Sequence, residues 1–116
     1  MPLYSWDQIE SEQLNPHLSR KVIHAATVTL ARLEMKAGAS VPVHRHENEQ
    51  VTTIERGRLK FQLGDAEITV SAGQSLVIPP NVPHGVETLE DTVALDLFSP
   101  RREDWIRGDD AYLRGL

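Results

Sequence analysis

The sequence predicts an all-β domain, a small sandwich or barrel. Three observations carry the prediction. Val, Ile, Thr and Leu gather in short runs, several of these runs alternate apolar with polar residues, and turn signals recur at roughly 8–12 residue spacing. Closing such strands into a barrel or jelly roll removes or protects their edges.

The elements follow in order along the chain. Ser5-Trp-Asp-Gln8 has the form of a capping box, so a short helical turn is expected there, then a loop through Asn15-Pro16. From Arg20 to Met35 the chain is strand material: Val28, Leu30 and Arg32 fall on one parity, Thr29, Ala31 and Leu33 on the other. Gly38 marks a turn. Val41–His46 reads as extended, and Pro42 limits it to an edge or a bulge. Val51–Ile54 is a further strand, turned by Arg56-Gly57. Leu59, Phe61 and Leu63 alternate with polar residues, Gly64-Asp65 signals a hairpin, and Ile68 and Val70 continue the alternation. Leu76–Ile78 is a short buried run that stops at Pro79-Pro80, and Thr92–Phe98 is the last strand. Ser99-Pro100 reads as an N-cap with Pro at the first helical position, opening a short helix over Arg101–Arg107 that Gly108 stops. The expected organisation is an N-terminal arm with a helical turn (1–19), a barrel (20–105) and a C-terminal tail (106–116).

Composition excludes several function classes. At 116 residues the chain suits one domain, and 40% hydrophobic residues suffice for a modest core. Twelve Lys and Arg against 17 Asp and Glu leave a net charge of −5 without a basic patch, which argues against nucleic acid or an anionic membrane as partner. The absence of cysteine removes disulfide scaffolds, thiol catalysis, zinc fingers and iron–sulfur clusters. No apolar run approaches the roughly 20 residues that span a bilayer. The N-terminal MPLYSWDQIE has no basic stretch followed by an apolar run, so a cytoplasmic protein is expected. Small size and strand edges in need of cover favour a homodimer.

His44 and His46 lie two apart, which on a strand puts both imidazoles on one face, where they can chelate a metal. Around them the chain reads Gly38, five residues, His44-x-His46, three residues, Gln50, six residues, Gly57. Later it reads Gly73, five residues, Pro79, four residues, His84. These stretches resemble the two motifs of the cupin superfamily. The resemblance implies a single-domain double-stranded β-helix, or jelly-roll barrel, with one divalent transition metal held by His44, His46, Gln50 and His84. Glu49 is the alternative fourth ligand; the even parity of 44, 46 and 50 favours Gln50. The second motif carries Asn81 where many cupins have Gly, and Thr88 where Asn is usual. Three imidazoles and a neutral amide would leave the ion's charge uncancelled, making it a strong Lewis acid. Imidazole ligation suits Ni, Zn, Fe or Cu, with Mn also open.

Asp96 and Phe98 share a face of the last strand. A carboxylate beside an aromatic is costly in a core but useful in a cavity, as an acid or base beside an apolar wall. Arg102 follows closely enough to return to the cavity mouth and grip a carboxylate in a two-point fork. The competing reading places Asp96 on the solvent face and pairs Arg102 with Glu103 or Asp104 at the surface.

Taken together, His44-x-His46-x-x-Glu49-Gln50, Ile78-Pro-Pro-Asn-Val-Pro-His84 and Asp96-Leu-Phe-Ser-Pro-Arg-Arg-Glu-Asp-Trp105 resemble the KdgF family, small cupins of pectin and alginate breakdown. The resemblance covers Arg20 to Trp105. It implies conversion of 4,5-unsaturated uronates to linear ketonised forms, a carboxylated sugar as the small-molecule partner, and catalytic roles for Asp96, Phe98 and Arg102. Two other readings compete: a metal-dependent cupin dioxygenase, which would consume oxygen, and a non-catalytic sugar- or metal-binding module. His17 and His24 read as surface or structural residues, Trp6 and Trp105 as packing anchors, and Glu10, Glu12, Asp109 and Asp110 as solvated charge. Arg20 is a possible second carboxylate binder.

Overall fold

The computed structural model of the protein describes residues 1–115. A single 3-10 turn, Trp6–Gln8, precedes ten strands: β1 (Glu12–Asn15), β2 (Leu18–His24), β3 (Thr29–Met35), β4 (Ser40–His44), β5 (Glu49–Arg56), β6 (Arg58–Leu63), β7 (Ala66–Ser71), β8 (Ser75–Ile78), β9 (His84–Thr88) and β10 (Thr92–Ser99). Two one-turn helices close the chain, α1 (Glu103–Ile106) and α2 (Ala111–Arg114). The strands form a six-stranded sheet ordered β1-β2-β3-β10-β5-β8 and a four-stranded sheet ordered β4-β9-β6-β7. All pairings are antiparallel. This is the all-β barrel with short terminal helical turns that the strand pattern predicts.

The alternation of side chains along each strand sorts the residues. Leu33, Met35, Ile54 and Ala94 of the larger sheet pack with Val41, Leu59, Phe61 and Val70 of the smaller one in a single core. Register extends the sorting across strands. Asp96 pairs with Ala31 on one side and Thr52 on the other, and Phe98 pairs with Thr29 and Gln50. One half of the sandwich is therefore apolar, and the other carries a polar inner surface.

Pro42 lies where the β4–β9 register shifts, between Val41 and His44, on an edge strand of its sheet. An edge or bulge is where the missing N–H is tolerated. Gly57 turns the chain from β5 in one sheet to β6 in the other, with φ at +94°. A Cβ there would collide with Thr92 Oγ1 and the Asp91 carbonyl. Asn81 takes the left-handed conformation (φ +63°), which Asn tolerates better than most residues, so it can stand at a position often held by Gly.

Several elements differ from expectation. The sheet begins at Glu12, inside the expected arm, where β1 pairs with β2. Arg20–Met35 is two strands, split by a turn in which the Ala25 N–H donates to the Val28 carbonyl at 2.9 Å; no Gly or Pro announces it. β9 was not expected, because its His-Gly-Val-Glu-Thr carries no clear alternation. At the first turn the Gln8 N–H bonds the Ser5 carbonyl, and the Ser5 side chain makes no cap. Ser99-Pro100 is not a helix cap: Ser99 is still paired with Glu49, and α1 starts only at Glu103. The expected tail runs into α2, and its last residue, Leu116, lies outside the described residues.

Gly57→Ala should destabilise the protein by more than about 2 kcal/mol, since it combines a forbidden φ with a backbone collision. Denaturant unfolding at constant m-value checks this.

Candidate metal centre and active site

His44 ends β4 and His84 begins β9, and the two are paired across the sheet. His46 follows two residues after His44. Together the three present ligand atoms that all lie within 4.8 Å of one another. Each ring is oriented by a backbone carbonyl two residues away. The Nδ1 atoms of His44, His46 and His84 lie 2.8, 3.1 and 2.8 Å from the carbonyls of Pro42, Asn48 and Val82. A carbonyl can only accept, so each Nδ1 carries the proton and each Nε2 keeps a free lone pair. The Asn81 N–H bonds the His46 carbonyl at 2.8 Å and ties the β8–β9 loop to the His46 segment.

Gln50 comes from β5 on the opposite sheet and is buried, whereas Glu49 is exposed and turned outward. The Gln50 Nε2 donates to Thr52 Oγ1 at 2.9 Å, and Thr52 Oγ1 donates to Asp96 Oδ1 at 2.6 Å. This relay turns the Gln50 amide oxygen toward His46 Nε2, 3.1 Å away. Two lone pairs then face each other at hydrogen-bond distance. His84 Nε2 is buried with no partner among the described residues. A divalent cation between these atoms would relieve both conditions, so His44, His46, His84 and Gln50 fit a metal. Burial also suits the imidazoles to ligation. It holds His44 and His46 near pKa 4 and His84 below its ordinary value, so all three are neutral at pH 7.

Asp96 faces inward and is only 6% exposed. It shares the wall of a cavity of about 50 Å³ with His44, His84 and Phe98. Burial raises its pKa from 3.8 to about 6, against the opposing pull of the Thr52 hydrogen bond and the Arg102 charge. Phe98 is buried edge-on to His46 and Trp105, with ring centroids 5.7 and 5.1 Å away.

Arg102 is 1% exposed. Its carbon Cζ lies 4.7 Å from the Phe98 centroid and 4.3 Å from the Trp105 centroid. Its Nε and Nη2 donate to the two oxygens of Asp104 at 3.0 and 2.8 Å. Burial works against the Asp104 anion, but these hydrogen bonds and the guanidinium charge hold its pKa below the ordinary value. The two-point fork expected for a ligand is thus engaged by Asp104, and only Nη1 lacks a protein partner among the described residues. The sequence allowed an Arg102–Asp104 pair, but at the surface; here Arg102 is buried in the pocket wall.

Other side chains also depart from expectation. Asp110, read as solvated charge, is 3% exposed and receives hydrogen bonds from Arg20 and Arg114. Arg20 is buried in that pair, also bonds Glu12, and lies over Trp105 at 4.5 Å, so it closes the barrel wall and is absent from the cavity lining. His24 is exposed and meets Thr29 Oγ1 at 2.9 Å; Trp105 is a packing anchor. Sequence reasoning missed Thr52, Asn48 and Tyr112. Thr52 shares the parity of Gln50 and could have been read from it. Asn48, which bonds the Pro100 and Arg101 carbonyls, and Tyr112, in the tail, carry no local signal.

Residues 31–99 match the cupin domain family. The chain belongs to the cupins. This cupin is similar to the pectin degradation protein KdgF of Dickeya dadantii, with 25% identity over 86% of this chain and 94% of that protein. It is similar in structure to KdgF from a Halomonas species, with a TM-score of 0.83 and 28% identity over 90% of this chain and 99% of that one. Half of it is 36% identical to an H2HPP isomerase of Bacillus subtilis, of which the match spans 26%. It is a KdgF-like cupin with a histidine group able to hold a metal. Among the described residues no helix is long and apolar enough to cross a membrane.

The raised pKa of Asp96 has a stability consequence. Between pH 3.8 and about 6 the unfolded chain has released a proton that the folded chain retains, so stability falls as pH rises through that window. Asp96→Asn should therefore stabilise the metal-free protein at pH 8, by up to about 3 kcal/mol, and the gain should shrink toward pH 4. Thermal unfolding of both proteins across that range checks the sign.

Proposed function

We propose that this cupin converts 4,5-unsaturated uronate monosaccharides into linear, ketonised uronates in a metal-dependent reaction. The observation that carries the reading is Asp96, a buried carboxyl with a pKa of about 6, on the cavity that His44 and His84 also line, and joined through Thr52 to Gln50. Similarity to KdgF proteins over nearly the whole chain supports the choice of substrate.

The reaction needs one proton placed and one removed. The substrate ring carries a C4–C5 double bond beside its carboxylate and a hemiacetal at C1. The protonated Asp96 gives its proton to C4, which leaves the positive charge shared between C5 and the ring oxygen. The carboxylate so formed takes the proton of the C1 hydroxyl. The C1–ring oxygen bond then breaks, C1 becomes an aldehyde, C5 becomes a ketone, and Asp96 is again protonated. The atoms balance without a co-reactant, and one carboxyl serves both transfers.

A metal held by His44, His46, Gln50 and His84 would act as a Lewis acid toward substrate oxygens. Arg102 places positive charge near the carboxylate. Phe98 supplies a dry face that keeps Asp96 protonated, since a desolvated carboxyl retains its proton at higher pH. General acid–base help of about 10²–10⁴-fold is enough for a substrate that also tautomerises unaided.

Purified protein mixed with freshly made unsaturated galacturonate should speed the loss of conjugated ultraviolet absorbance over the blank. A chelator should abolish the gain, and Asp96→Asn should cost about 10²–10⁴-fold with metal content unchanged. The rate should fall with rising pH as Asp96, whose pKa burial raises, loses its proton. A rate equal to the blank with metal-loaded protein rejects the reading, and oxygen uptake would then be measured to test dioxygenase chemistry.

We also propose that two copies pair through the outer face of the six-stranded sheet. Register aligns Ile23, Leu30, Leu97, Val51 and Val77 in one row across five strands on that face. Val77 and Leu97 are 56% and 36% exposed. An apolar row of this kind suits a two-fold contact with its own copy. Leu97→Lys should convert a dimer to a monomer in sedimentation velocity; a monomeric parent protein overturns the proposal.

A further inference from the structure

Tyr112 lies in the C-terminal helix, outside every motif the sequence presents, yet it lines the same cavity as Asp96, Arg102 and His44. Its ring stands 4.5 Å from that of His44. Its hydroxyl oxygen accepts hydrogen bonds from Arg102 Nη2 at 2.8 Å and from Trp105 Nε1 at 3.2 Å. Both partners are N–H donors, so the phenolic O–H has no acceptor among the described residues. Arg102 Nη1 is in the same condition. Two unspent donors, one of them on a guanidinium, therefore stand together at a wall shared with apolar side chains such as Phe98 and Leu113. An oxyanion with two oxygens would satisfy both.

The cavity measures about 50 Å³, far below the roughly 300–1,000 Å³ of pockets that take drug-sized ligands. It has room for a carboxylate but not for a sugar ring, so a wall must yield. Most of the lining comes from strands locked in two sheets. α2 is a single turn, joined to α1 through Gly108, whose φ is +81°. From outside the barrel it is held by Asp110 to Arg20 and by the Asn15 Nδ2 bond to the Leu113 carbonyl at 3.0 Å.

We propose that Tyr112 is a ligand-binding residue: α2 gives way to admit a carboxylated sugar, and the Tyr112 hydroxyl then donates to its carboxylate beside Arg102 Nη1. This rests on the uronate reading for the class of ligand, but it concerns binding and needs no turnover. It assigns the tail a role in selecting acid sugars over neutral ones.

The test uses zinc-loaded protein with D-galacturonate, a saturated uronate that cannot undergo the reaction, and D-galactose as the neutral control. The chain has two tyrosines, so in Tyr4→Phe protein a ring-labelled tyrosine reports Tyr112 alone by NMR. Galacturonate should shift that signal and galactose should not. In calorimetry Tyr112→Phe should weaken galacturonate binding about tenfold and leave binding of galactose and the zinc content unchanged, while the melting temperature falls because Arg102 Nη2 and Trp105 Nε1 lose their acceptor. A Tyr112 signal unmoved at saturating galacturonate overturns the proposal. So does Tyr112→Phe protein that binds galacturonate as well as or better than the parent, which would make the phenol an obstacle. Absence of galacturonate binding to the parent also overturns it. Failure to turn over unsaturated uronate, with these binding results intact, would strike the proposed reaction and leave the role of Tyr112 standing.

Discussion

The pairing of β10 with β5 puts Asp96 opposite Thr52 and Phe98 opposite Gln50, and the polar wall of the cavity depends on that register. Side chains alternate with a period of two, so a slip of β10 by one residue would turn Asp96 and Phe98 out to solvent together, away from Thr52 and Gln50. It would also bring Leu95 and Leu97 inward. The apolar rows on either side make such a slip costly: Ala94 opposite Ile54 belongs to the main core, and Ile78 is held opposite Gln50 by β8. The core therefore fixes the site, and the site adds little to the core.

The polar interior is destabilising taken alone. Asp96 is buried without a direct cationic partner, and its raised pKa expresses that cost. Arg102 and Arg20 are buried too, but each has a carboxylate, Asp104 and Asp110 respectively, and each is stacked on Trp105. Buried pairs of this kind are weak sources of stability, although breaking one is costly. Their value here is positional. The Arg20–Asp110 pair ties the start of α2 to β2, and the Asp104 pair fixes the Arg102 guanidinium beside Phe98 at the pocket wall.

The sequence made most of the barrel legible because alternation, Gly turns and Pro positions are local signals. Gly64-Asp65 at the β6–β7 hairpin and Pro42 at the β4 bulge were readable for that reason. β1, the turn at Ala25–Val28 and β9 were not, because their residues are set by strand partners distant in sequence. The same division runs through the site. The His44-x-His46 pair and the parity of Gln50 are local, and the structure brings both beside His84. That Asp96 faces inward was one of two readings, and register decides between them. Arg102 was expected to offer a fork; its engagement by Asp104 depends on how α1 folds back. Tyr112 and Asp110 reach the barrel from a tail whose spacing to the strands says nothing of contact, so no pattern could have announced them.

The centre of the larger sheet is its last strand. β10 lies between β3 and β5, and β3 and β5 do not touch until it arrives. A chain leaving the ribosome thus presents two separated half-sheets until residue 99 is free, each with an open edge facing the vacancy. Long-range strand pairing is slow because loop closure precedes the contacts that reward it. During that interval the open edges of β3 and β5 are templates for any other extended chain. The residue that completes the polar wall of the cavity, Asp96, is thus also part of the segment that ends the protein's period of greatest exposure to aggregation.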